Sequence, residues 1–111
     1  MNTVERTCRI DVLDDDARHR WQALREAMRT ARTDVRELPD GYAVGFGADP
    51  ALFVQVAEWI TLERRCCPFL DFGLDWFGAE TVRLRLTGGP GVKAFLGNTL
   101  GVDPPFGKIL R

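Results

Sequence analysis

Leu70, Phe72, Leu74 and Trp76 alternate with Asp71, Gly73 and Asp75, and after Gly78-Ala79-Glu80 the same alternation resumes, with Val82, Leu84 and Leu86 set against Arg83 and Arg85. Successive side chains on a strand point to opposite faces. A period of two on both sides of a glycine-led turn therefore predicts a β-hairpin with one apolar face. Centred on that turn, the hairpin brings Asp75 near Arg83, an expected cross-strand ion pair. An isolated hairpin is marginal in water, so the rest of the chain must supply more strands and a cover. Asp34 to Leu38 and Tyr42 to Gly47 flank Pro39-Asp40-Gly41. Proline presets φ there and glycine permits positive φ, which predicts a second hairpin.

The cover comes from helical spacing. Asp14, Asp15 and Asp16 offer an N-cap and first-turn negative charge, and Ala17, Trp21, Leu24, Met28 and Ala31 follow on one stripe, so a helix is expected to about Arg32. A second helix starts at Asp49-Pro50, a cap followed by proline at the first helical position. It is expected to continue to Cys67, because Pro68 disfavours helical geometry in the residue before it. Gly89-Pro90-Gly91 opens a short third helix through Phe95, Leu96 and Leu100, with Gly101 as its stop. Ahead of all these, Cys8, Ile10 and Val12 alternate with Thr7, Arg9 and Asp11, which reads as a half-buried strand over Thr7 to Leu13.

The expected fold class is α+β: a mainly antiparallel sheet with helices on one face, in the order β-α-β-β-α-β-β-α. Residues 1–101 form the single domain, and 102–111, with Pro104-Pro105, read as an irregular C-terminal tail. The two β-β-α units are similar in length, but no residue-level identity marks a duplication.

A chain of 111 residues with 45% hydrophobic and 28% charged residues can build one core and has no room for separate cofactor and substrate domains. Fifteen basic residues against sixteen acidic ones give a net charge of −1, which argues against a nucleic-acid partner. No signal-like apolar stretch follows Met1, and the run Ala51-Leu52-Phe53-Val54 stops at Gln55, far short of the ~20 residues of a membrane span. The expectation is a cytoplasmic protein with no membrane partner. Three cysteines, an odd number, argue against a structural disulfide framework in such a compartment.

Chemistry concentrates in Glu63-Arg64-Arg65-Cys66-Cys67-Pro68-Phe69-Leu70. On a helix, Glu63 precedes Cys66 by three residues and Cys67 by four, so the three side chains can share one side. Two thiolates and a carboxylate are a partial ligand set for zinc or a softer cation, and Cys8 adds a third sulfur if its strand lies beside this helix end. Adjacent cysteines diverge around a helix, which suits a two- or three-coordinate thiophilic ion better than a tetrahedral one. The competing reading is packing, since cysteine is among the most buried residue types and Cys67 continues the apolar stripe Phe53, Ala57, Ile60. A nucleophilic thiol is disfavoured, because the negative end of the helix opposes thiolate and the only histidine, His19, would have to be its base. A metal ion deprotonates its own thiol ligands and fits this end of a helix better.

Other features weigh less. Asp71-Phe72-Gly73 repeats a kinase tripeptide in a chain too short for a kinase. Asp71 and Asp75 share a strand face and could act as an acid/base pair, but pairing with Arg83 and Arg85 explains them more simply. Thr87-Gly88-Gly89-Pro90-Gly91 could cradle an anion at a helix start, but it lacks phosphate-loop spacing and reads equally as a turn. The aromatic residues are mostly core by their spacing, with room for a small apolar ligand among them.

Glu63-Arg64-Arg65-Cys66-Cys67-Pro68-Phe69-Leu70-Asp71-Phe72 resembles the E-R-x-C-C-P-F-x-x-F signature of a group of small bacterial proteins. Leu84-Arg85-Leu86-Thr87-Gly88 and Gly91-Val92-Lys93-Ala94-Phe95-Leu96 are similar to their later segment, so about half the chain is covered. Some of these proteins lie beside heavy-metal resistance genes. The resemblance implies handling of a thiophilic metal and marks Glu63, Cys66 and Cys67, without implying a defined enzymatic activity.

The leading expectation is thus a metal- or metalloid-binding protein using Cys66, Cys67 and Glu63 with Cys8, for zinc, mercury or arsenite, in sequestration, delivery or sensing. The alternatives are a thiol-dependent or small-molecule enzyme and an interaction module with structural cysteines. A closed four-sulfur site would need a second subunit. A homodimer is expected, its interface near the Cys66-Cys67 helix end and drawing on Leu74, Trp76 and Phe77 or on Pro104-Pro105-Phe106.

Overall fold

The computed structural model describes residues 9–100, 102–103 and 108–109. A 3-10 turn at Ile10–Val12 leads into α1 (Asp15–Ala31), β1 (Arg32–Leu38), β2 (Gly41–Gly47), α2 (Pro50–Cys66), β3 (Asp71–Phe77), β4 (Thr81–Thr87) and α3 (Val92–Leu100). Two-residue strands β5 (Val102–Asp103) and β6 (Lys108–Ile109) close the order as an antiparallel pair, so the tail is not wholly irregular. The main sheet is antiparallel throughout, in the order β1-β2-β4-β3. This is the expected α+β architecture.

Local chemistry sets the boundaries. The Asp14 carboxylate accepts from the Ala17 N–H at 2.8 Å and the Asp49 carboxylate from the Ala51 N–H at 3.0 Å, each satisfying a donor that the first helical turn leaves open. Both hairpins form where the turn residues demand, and Gly78 takes a positive φ of 58°. Gly41 is required for another reason: a Cβ there would stand 1.9 Å from the Leu86 carbonyl oxygen, so β2 and β4 approach too closely for any side chain.

Tyr42, Val44 and Phe46 of β2 and Val82, Leu84 and Leu86 of β4 are all buried and alternate with the residues of the outer face. They meet Trp21, Leu24 and Met28 of α1 and Leu52, Val56 and Trp59 of α2 in one continuous core. At the rim, Trp59 meets Phe72 edge-on at 6.0 Å and Phe53 meets Trp76 at 5.2 Å, so α2 lies over β3. Arg20 grips Glu58 through two bonds of 2.7 and 2.8 Å and ties α1 to α2 across their exposed sides. Val92 and Leu96 bring α3 into the same core, beside β2 and β4.

Two expectations are corrected. Ile10–Val12 is a 3-10 turn rather than part of a strand, because its neighbour Arg9 donates its backbone N–H to the carbonyl of Cys66, at the end of α2, and not to a strand. Thr7 and Cys8, the start of that expected strand, lie outside the described residues, as does the helix stop at Gly101. Asp75 stands opposite Arg83 in the register, yet its ion pair is the diagonal one, to Arg85 Nε at 3.0 Å.

Candidate thiol and carboxyl site

The last turn of α2 carries Glu63, Cys66 and Cys67 into the core. Cys66 and Cys67 are fully buried and Glu63 is 5% exposed, the one buried charged residue among those described. The i,i+4 relation places Glu63 Oε2 3.1 Å from Cys67 Sγ. Glu63 Oε1 accepts from the indole N–H of Trp21 at 2.6 Å, so a side chain of α1 fixes the carboxyl group. Cys66, one residue earlier, turns away and directs its sulfur to the Leu62 carbonyl at 3.5 Å. The two sulfurs diverge as adjacent helical cysteines should.

Backbone bonds hold this helix end against the start of the described chain. Cys67 N–H donates to the Glu63 carbonyl at 2.8 Å, Leu70 N–H to the Cys67 carbonyl at 3.1 Å, and Arg9 N–H to the Cys66 carbonyl at 2.8 Å. Arg65 reaches back to the Val12 carbonyl at 3.4 Å. The N-terminal segment therefore enters beside the cysteine pair, the arrangement on which a role for Cys8 depends, although Cys8 itself lies outside the described residues. Cys66 is a free thiol, whereas Cys67 is disulfide-bonded, its partner outside the described residues. The odd cysteine count argues against a structural disulfide framework, yet Cys67 carries a disulfide.

The electrostatics favour neutral groups. Burial pushes the Glu63 carboxyl above the usual carboxylate range, against the opposing pull of the Trp21 hydrogen bond and of Arg25. Arg25 also stands over the Trp21 ring, 5.5 Å from its centre. Burial, reinforced by Glu63, pushes the Cys66 thiol up, and Arg65 only partly offsets it. A protonated Glu63 can donate through Oε2 to a Cys67 sulfur that has no proton of its own. A reduced Cys67 can instead donate its S–H to the carboxylate.

Spacing thus brings Glu63 and Cys67 together and separates Cys66 from them. Among the described residues, no group of three or more His, Cys, Asp and Glu side chains is arranged to hold a metal ion. His19 lies exposed on α1. The residue that sequence reasoning assigned only to the core is Trp21, which anchors the carboxyl from 42 positions away. The glycine-rich segment before α3 is a turn, with Val92 N–H donating to the Gly89 carbonyl and Gly91 at a φ of 88°. It borders an open groove with Pro39, Asp40 and Lys93, and Lys93 is paired with Glu37. No protein-family model, curated protein or solved structure matches the chain. No described helix is long and apolar enough to cross a membrane.

Proposed function

We propose that the reduced protein binds a thiophilic metal or metalloid ion, with Cys67 and Glu63 as the paired donors, Cys66 as the adjacent thiol and Cys8 as the further sulfur. One observation carries this reading: a buried carboxyl in contact with a buried sulfur and fixed by an indole N–H. A carboxyl group in an apolar core is costly, and a bound cation is one compensation for that cost. The divergence of the two sulfurs favours an ion of low coordination number, mercury or arsenite, over tetrahedral zinc. The resemblance to the small bacterial proteins with the E-R-x-C-C-P-F-x-x-F signature points the same way. A reducing compartment such as the cytoplasm keeps Cys67 available as a thiol, and the role suited to so small a domain is sequestration or delivery.

Trp21 supplies a direct readout. Adding mercury(II) to the reduced protein is expected to change Trp21 emission, and Trp21→Phe to remove that change and weaken binding by releasing the carboxyl. Unchanged emission contradicts the proposal.

The disulfide at Cys67 supports a second reading, a thiol-dependent exchange catalyst. An external thiolate would attack the partner sulfur, forming a new mixed disulfide and breaking the bond to Cys67. Cys67 would leave as thiolate and take the proton of Glu63. Glu63→Gln separates the two readings. It should slow reduction by a small dithiol about tenfold or more if Glu63 is the proton donor, as expected for a lost general acid. Under the metal reading it weakens binding modestly and leaves the reduction rate unchanged.

A further inference from the structure

Among the described residues, the second hairpin ends the sheet. β3 pairs with β4 on one side, and no described strand pairs with it on the other. Seven residues long, it runs without proline, lysine or any break in register, whereas the opposite edge strand, β1, is interrupted by a register shift between Arg32 and Asp34. Proteins normally blunt exposed edges, because a row of open N–H and C=O groups invites another strand. The residues beside this edge are also incompletely covered: Trp76 is 39% exposed and Phe77 53%, with Phe72 and Leu74 half-buried. The charges that would discourage pairing are Asp71 and Asp75, and Asp75 is already paired with Arg85.

We infer that this edge joins a second copy of the chain, β3 against β3 in antiparallel register about a two-fold axis through Leu74. The arrangement is independent of the metal reading and rests on self-complementarity. It sets Leu74 opposite the partner's Leu74, and Phe72 opposite the partner's Trp76, on the helix-covered face. On the other face Asp75 stands opposite the partner's Gly73. A Cβ at Gly73 would stand 2.3 to 2.9 Å from the guanidinium atoms of Arg85, so that guanidinium lies across Gly73, its Nε held by Asp75 of the same chain. Arg85 is thereby poised to meet the partner's Asp75 with its remaining donors. Two arginines and two aspartates then alternate about the axis. The register places Asp71 opposite the partner's Phe77, about 20 Å from the partner's Asp71 at roughly 3.4 Å per residue. The two Cys66-Cys67 ends consequently lie far apart, and each chain keeps its own thiol site.

The test is mass in solution combined with site-directed cross-linking. Wild-type protein at micromolar concentration should sediment as a dimer. Asp75→Arg should raise the dissociation constant at least tenfold while the circular dichroism spectrum is kept, and Asp75→Arg with Arg85→Asp should restore the dimer. Leu74→Cys should cross-link on mild oxidation, since directly opposed Cβ atoms lie about 4.5–5.5 Å apart, near disulfide range. Phe77→Cys, more exposed but distant from its copy, should not. A wild-type monomer at 100 µM overturns the inference. A dimer indifferent to Asp75→Arg, or one that cross-links through Phe77→Cys rather than Leu74→Cys, overturns it as well.

Discussion

Glu63 is the residue whose environment most exceeds what packing alone requires. Its carboxyl is pushed above the ordinary range by burial, so the folded chain holds its proton more tightly than the unfolded chain does. The stability it contributes is therefore complete below the unfolded carboxyl pKa and is lost as pH rises through the higher folded value. Glu63→Gln keeps an acceptor for the Trp21 N–H and cannot ionise. Chemical denaturation of the reduced protein as a function of pH should show the variant gaining on wild type as pH rises through the folded value. The two should converge in acid. A difference independent of pH would mean that Glu63 does not titrate in this way. Trp21→Phe leaves Glu63 Oε1 without the indole donor and should cost about 1–3 kcal/mol by thermal or urea unfolding.

Among the elements, α1 and α2 were legible because their starts carry their own chemistry: Asp14 and Asp49 accept backbone N–H groups as their positions predict. The hairpins were legible from alternation and turn residues. The described part of the first segment, Arg9 to Leu13, was not legible because alternation over so few residues does not say where the backbone bonds go, and the N–H of Arg9 goes to a helix end. The diagonal pairing of Asp75 with Arg85 escaped for a related reason: register fixes which Cα atoms oppose, while a long arginine chooses among neighbours. Nothing in the sequence marked Gly41 as a contact between strands rather than a turn glycine. Gly41→Ala forces a Cβ against the Leu86 carbonyl and should cost about 1–3 kcal/mol, the usual penalty of overpacking, in urea unfolding. An unchanged midpoint would show that β2 and β4 can move apart freely.

Across the whole molecule, α1 and α2 cover one face of the sheet, and the functional groups gather where the last turn of α2 meets α1 and the incoming N-terminal segment. The spacing of Glu63, Cys66 and Cys67 announced a thiol-rich helix end. It could not announce that only Cys67 faces the carboxyl, nor that Trp21 holds that carboxyl, because burial and long-range partners belong to the assembled fold. Calorimetric titration of the fully reduced protein with mercury(II), alongside Cys66→Ser and Cys67→Ser, tests the account most directly. Losing an inner ligand should cost at least as much as losing an outer-shell partner, so Cys67→Ser should weaken binding about tenfold or more. Cys66→Ser should weaken it by a similar factor if both thiolates ligate, and Glu63→Gln should weaken it less, as carboxylate is the poorer partner for a soft ion. Unchanged affinity in both cysteine variants would contradict the account.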